Sequence, residues 1–162
     1  MSDSRSGKQL AQGLVVGLCA TQALDWLSIL MYEGEARATR AKEDDARGHR
    51  HAYEVAVERA ARFAGYRLTE AQVHRWGWRF HKTFGVLGGV AYLGMRRVLP
   101  GLRRGCGLAF GTAFFLTVDE LLIPLLRLSP GPLAFSWKVH ARGAAAHLAY
   151  GVAAEATARL LD

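Results

Sequence analysis

Two aspartates and two histidines stand where ionisable side chains are costly. Asp25 and Asp119 lie inside apolar runs, and His81 and His147 lie near the start of two others. A charged group at the centre of a bilayer costs roughly 2.5–3.5 kcal/mol or more, so it normally faces protein or a water-filled cavity. Such sets suit proton handling. Low dielectric makes a carboxylate hold its proton more tightly and an imidazole less so, which brings both toward exchange near neutrality. The same four residues, Asp25, Asp119, His81 and His147, are the candidate ligands for Zn²⁺ or another divalent metal, with oxygen and nitrogen donors at about 2.0–2.2 Å. No short ligand motif such as HExxH accompanies them. A haem held by His81 and His147 is disfavoured, and the expectation is that no cofactor is bound. The plain alternative is a set of interhelical hydrogen bonds, averaging under about 1 kcal/mol each, that only fix helix rotation.

Three kinds of neighbour extend this set. Glu120 follows Asp119 and points about 100° away around a helix, toward another span. His74 and His140 precede His81 and His147 by the same interval and form an outer pair nearer the surface. Glu155 lies two turns beyond His147 on the same face, where a salt bridge to Arg96 or Arg97 is expected.

These residues require long apolar helices to position them. The stretch GCGLAFGTAFFLTVDELLIPLL, residues 105–126, matches the roughly 20 residues needed to cross a hydrocarbon core. The pattern predicts an all-α, four-span transmembrane bundle forming one membrane domain over 1–162. The spans fall at about 9–32, 76–99, 105–127 and 140–161, joined first by a charged helical loop over 33–75. Residues 1–8 read as a polar tail and 33–50 as a solvated helix or mobile segment. An amphipathic helix over 51–64 follows, ending at Gly65. Thr69 with Gln72 forms a capping box that opens the next helix near Glu70, and Pro100-Gly101 stops it. Gly13/Gly17, Gly85/Gly89 and Gly107/Gly111 repeat at the four-residue interval that lets helices approach closely in lipid.

Two patterns recur in order. Gly13-Leu14-x2-Gly17-x7-Asp25 matches Gly107-Leu108-x2-Gly111-x7-Asp119, and His74-x6-His81-x3-Gly85 matches His140-x6-His147-x3-Gly151. The reading is a parallel repeat of two helices per unit, related by an axis along the membrane normal. It places both aspartates and both inner histidines in one layer.

Half of the chain is apolar (51%), yet its mean hydropathy is only +0.05 because charges crowd into the first loop. The net charge of +7 sits beside apolar runs, which fits anionic lipid headgroups and argues against nucleic acid. The first apolar run continues past any cleavage site, so it reads as a retained span. Cys19 and Cys106 show no disulfide or metal spacing. There is no convincing nucleophile–base set, phosphate loop or dinucleotide fingerprint, and no enzyme is expected. Lys and Arg counts place the first loop in the cytoplasm, and four short spans suggest a homodimer.

The segments carrying His81 before Phe84-Gly85, Gly107-x2-Phe110-Gly111, Pro124 and His140-x6-His147-x7-Glu155 resemble the YagU-like family of bacterial inner-membrane proteins. The resemblance covers the last three spans and, more loosely, the first. It implies a small multi-span inner-membrane protein and specifies no activity.

Overall fold

In the computed structural model the backbone is described for residues 2–162 and the side chains for residues 7–162; Arg5 lies outside the described side chains. The described residues form six helices and two short 3-10 turns, Pro100–Arg103 and Pro132–Ala134, with no strand among them. They are α1 (Ser2–Glu33), α2 (Arg37–Ala46), α3 (Ala52–Phe63), α4 (Glu70–Val98), α5 (Leu108–Leu125) and α6 (Trp137–Leu161). The middle of α5, Leu116–Leu122, is π-helical.

Local chemistry accounts for most boundaries. Thr69 accepts from the Gln72 backbone N–H, and the Gln72 side chain accepts from Thr69 N–H at 2.8 Å, which caps α4. At the start of α3 the Glu54 carboxylate accepts from the His51 backbone N–H at 2.9 Å. Pro100 ends α4 because its ring cannot continue the hydrogen-bond ladder. Arg59 of α3 donates to the carbonyls of Leu126 and Arg127 at 2.7 and 2.9 Å, supplying partners to the orphan end of α5.

The glycine intervals form the helix crossings. Gly17 of α1 lies against the backbone of Val86 and Gly89 in α4, while Gly107 and Gly111 lie against Gly151 and the His147 carbonyl in α6. Helix α1 also packs along α6. Val16, Ala20, Tyr92, Phe110, Tyr150 and Ala154 fill the centre. Tyr150 donates to the Gly85 carbonyl at 2.6 Å, which satisfies a hydroxyl that is 0% exposed.

Two helices, Gly7–Glu33 and Leu108–Leu125, are long and apolar enough to cross a membrane. Only 28% and 17% of their most apolar stretches are buried, unlike the core helix of a water-soluble domain. Leu10, Leu18, Ile29 and Leu30 on α1, with Leu108, Leu116, Leu121 and Leu125 on α5, are exposed. Contiguous apolar surface of this kind marks an interface with lipid or another protein.

Three expectations are corrected. Residues 2–8 are helical and continue α1 rather than forming a tail. Residues 105–107 are a turn before α5: Gly105, Cys106 and Gly107 all have positive φ (62°, 56° and 94°), which a helix excludes. The segment 33–50 is not simply solvated, because Glu43 of α2 is 4% exposed. Its carboxylate meets Arg142 of α6 at 2.5 Å and also pairs with Arg47, and Arg142 donates in addition to Glu35 at 2.6 Å. Two carboxylates on one buried guanidinium tie the first loop to α6.

The α3–α4 hairpin is held by another buried acid. Glu54 is 7% exposed, accepts from the His51 backbone N–H and joins His74 Nδ1, both at 2.9 Å. Burial pushes its carboxyl up, but these hydrogen bonds and the nearby rings leave it below the ordinary 4.5. A depressed carboxyl contributes stability above its unfolded pKa that is lost as pH falls through the folded one. Docking of α3 is therefore expected at neutral pH and its loss in acid, below about pH 4.5. Hydrogen exchange across Ala52–Phe63 reports this directly. Glu54→Gln should show the acid behaviour at pH 7; unchanged protection would refute the assignment.

Candidate functional site

The four long helices and the first loop surround a cleft of about 680 Å³. That lies within the roughly 300–1,000 Å³ range of small-molecule sites. Asp25, His81, Asp119 and His147 all line it, as do Glu120 and His140. The expected convergence is thus seen as two pairs on one cleft rather than a single point. Among the described residues no three His, Cys, Asp or Glu side chains group closely enough to hold a metal ion. The set Asp25, Asp119, His81 and His147 therefore does not form one metal centre in this arrangement.

The first pair is closed. Asp25, 5% exposed, meets His81 Nε2 at 2.7 Å through one oxygen and the Lys82 ammonium through the other. Lys82 lies over the Trp78 ring at 5.1 Å, and His81 stacks on Trp78 at 5.3 Å with the tilted Tyr53 ring 5.2 Å from it. Burial pushes the Tyr53 hydroxyl up to about 12, so it faces the cleft as a neutral phenol.

The second pair is open. His147, 8% exposed, uses Nδ1 on the Gly143 carbonyl one turn back, at 3.0 Å. The same nitrogen lies 3.7 Å from Asp119 Oδ2, beyond hydrogen-bonding distance. Among the described residues Asp119 has no hydrogen-bond partner, whereas Asp25, Glu43, Asp44 and Glu120 in the same cleft each have at least one. The π-helical turn contains both Asp119 and Glu120. Such turns are rare and frequently accompany functional sites.

The outer histidines do not meet each other. His74 joins Glu54, and His140 joins Glu120 at 2.7 Å while its other nitrogen faces the Pro132 carbonyl at 3.0 Å. Both links run from Nδ1 to Oε1 and span 20 residues. Glu120 thus reaches another helix, as its direction around α5 implies.

Glu155 lies away from the cleft. It is 1% exposed and accepts from Tyr92 at 2.5 Å, Arg159 at 2.7 Å and Arg103 at 3.1 Å, with Arg96 at 3.2 Å. The expected bridge to Arg96 is present, and Arg97 stays exposed outside it.

Sequence reasoning did not single out Lys82, Tyr53, Glu54 or Arg142. Glu54 had a signal: Glu54 to His74 and Glu120 to His140 have the same separation. Lys82 had none, because whether it turns toward Asp25 depends on how α4 is rotated against α1.

Fold and site together define an all-helical protein with two helices able to cross a membrane and an acidic, imidazole-lined cleft between its long helices. The chain matches no family model, no curated protein and no solved structure.

Proposed function

We propose that this is a multi-pass bacterial inner-membrane protein in which four helices, α1, α4, α5 and α6, span the bilayer and the cleft between them handles protons or a cation. The observation that carries the reading is that two carboxylate–imidazole pairs line one cleft. Helices α4 and α6 have 29 and 25 residues, enough to cross once their polar ends are allowed for. A two-unit repeat accounts for Asp25 lying beside His81 as Asp119 lies beside His147. Membership of the YagU-like family belongs to the same reading and adds no activity to it. Contact of Arg97 and Arg104 with anionic headgroups, and pairing of two copies, complete it.

In this reading Asp119 is the exchanging group, because its carboxylate has no fixed donor. Asp25 is the group whose charge is already answered. That closure also favours a second reading, in which the Asp25–His81–Lys82 set only orients α1 against α4. The two differ in reconstituted vesicles under an imposed pH gradient. Asp119→Asn is expected to lower proton or cation flux by roughly tenfold or more, the effect of losing one ionic interaction worth about 1.4 kcal/mol. Under the orienting role Asp25→Asn reduces the yield of folded protein instead. Normal assembly of both variants with unchanged flux would remove the ion-handling function.

A further inference from the structure

We infer that the cleft binds an organic cation with an aromatic or branched apolar body, its charge set against Asp119. The inference rests on the ion-handling reading and names the class of ligand for that same site. Three observations converge on it.

The first is charge. Within the cleft, Lys82 and His81 answer Asp25, and Arg47 and Arg142 answer Glu43. His140 answers Glu120, and the Tyr32 hydroxyl donates to Asp44 at 2.9 Å. Asp119 is left with an imidazole at 3.7 Å whose near nitrogen is committed to the Gly143 carbonyl. Its side chain keeps 33% of its exposure, and it faces the cleft. A half-buried carboxylate without a hydrogen-bond partner in a low-dielectric site attracts a cation more strongly than one in water.

The second is the wall beside it. Phe114 and Phe115 have ring centres 5.3 and 5.7 Å from the His147 ring, and Phe84 and Tyr150 continue the surface from Phe114 at 6.1 and 5.2 Å. Aromatic faces carry negative charge density and favour a weakly hydrated cation over a small, strongly hydrated one. The rings of Tyr53 and Trp78 also line the cleft.

The third is size. A bare proton or a metal ion needs no cleft of about 680 Å³, whereas a molecule of drug-like dimensions does. Thr21, 3% exposed, lines the same cleft with a buried hydroxyl that has no partner. It offers an acceptor to a ligand that carries an N–H group.

The test uses the full-length protein in detergent, with two probes of the same shape and opposite charge, tetraphenylphosphonium and tetraphenylborate. Binding is followed by equilibrium dialysis. The wild type is expected to retain tetraphenylphosphonium saturably and at least about tenfold more tightly than tetraphenylborate. Asp119→Asn is expected to weaken phosphonium binding by about tenfold or more. Asp119→Glu, which keeps the charge, retains it, as does Glu33→Gln, which removes an equal charge from an exposed residue that does not line the cleft. Equal retention of the two probes by the wild type overturns the inference whether or not any variant folds. So does phosphonium binding by Asp119→Asn that equals the wild type. Proton flux through Asp119 without phosphonium binding leaves the ion-handling function standing and removes only the ligand class. Asp119-dependent phosphonium binding without flux upholds the ligand class and removes the transport role.

Discussion

Glu155→Ala is expected to lose about 3–5 kcal/mol of stability, the usual consequence of taking one partner from a buried ionic cluster. Glu155 is the centre on which Tyr92, Arg103 and Arg159 converge through hydrogen bonds, with Arg96 beside it. Arg103 and Arg159 keep 44% and 53% of their side-chain exposure and can turn to water. Arg96 cannot, since its side chain is 4% exposed. Without Glu155 it retains only Asp162, at 3.0 Å, and its Nη2 already lacks a partner. The cost therefore falls on a stranded guanidinium more than on a lost attraction. That distinction can be measured. Arg96→Met combined with Glu155→Leu removes both charges and should recover most of the loss, because apolar replacement of a complete buried pair is often neutral or better. Unfolding in detergent against a denaturant series gives both numbers. A single-variant loss under about 1 kcal/mol, or a double variant as unstable as Glu155→Ala, would contradict the account.

The second large effect is expected at Gly151. A Cβ there would run into the Gly107 carbonyl oxygen and come within 2.8 Å of the Gly111 nitrogen, which are backbone atoms with no rotamer to change. Gly151→Leu must therefore push α5 away from α6. Overpacking costs about 1–3 kcal/mol where side chains can adjust, and the upper end or more applies here. The displacement also separates Phe110 from Tyr150, now 6.2 Å between ring centres. Gly94 provides the contrast. Nothing lies within 4 Å of its added Cβ, and it sits inside α4. Gly94→Ala is expected to stabilise by about 0.5–1 kcal/mol, the ordinary helical gain. The same unfolding assay reads both. Destabilisation at Gly94, or tolerance at Gly151, would show that the crossings do not lie where the glycines indicate.

What was legible from the residues alone followed from short-range chemistry. The Thr69–Gln72 box and Pro100 set the limits of α4 within a residue, because caps and stops act over one turn. The four-residue glycine intervals marked the crossings, since only glycine lets two backbones meet. The cleft residues Asp25, His81, Asp119 and His147 were found because a charge in an apolar run needs a reason. What stayed hidden depends on distant partners. Glu43 is buried because Arg142, 99 residues away, reaches it. Glu54 is buried because Gly77 leaves room for it on α4. Lys82 closes on Asp25 only because of how α4 is turned against α1.

The π-helical turn in α5 has a consequence for the two aspartates. Gly17 to Asp25 and Gly111 to Asp119 are the same distance apart along the chain. On α1 that interval is regular α-helix, whereas on α5 it enters the wider turn at Leu116. A wider turn sweeps less angle per residue, so twin carboxylates leave their helices in different directions. One is locked against an ammonium and the other is left idle beside an occupied imidazole. Identical spacing thereby yields two unlike carboxylate settings through a change in winding.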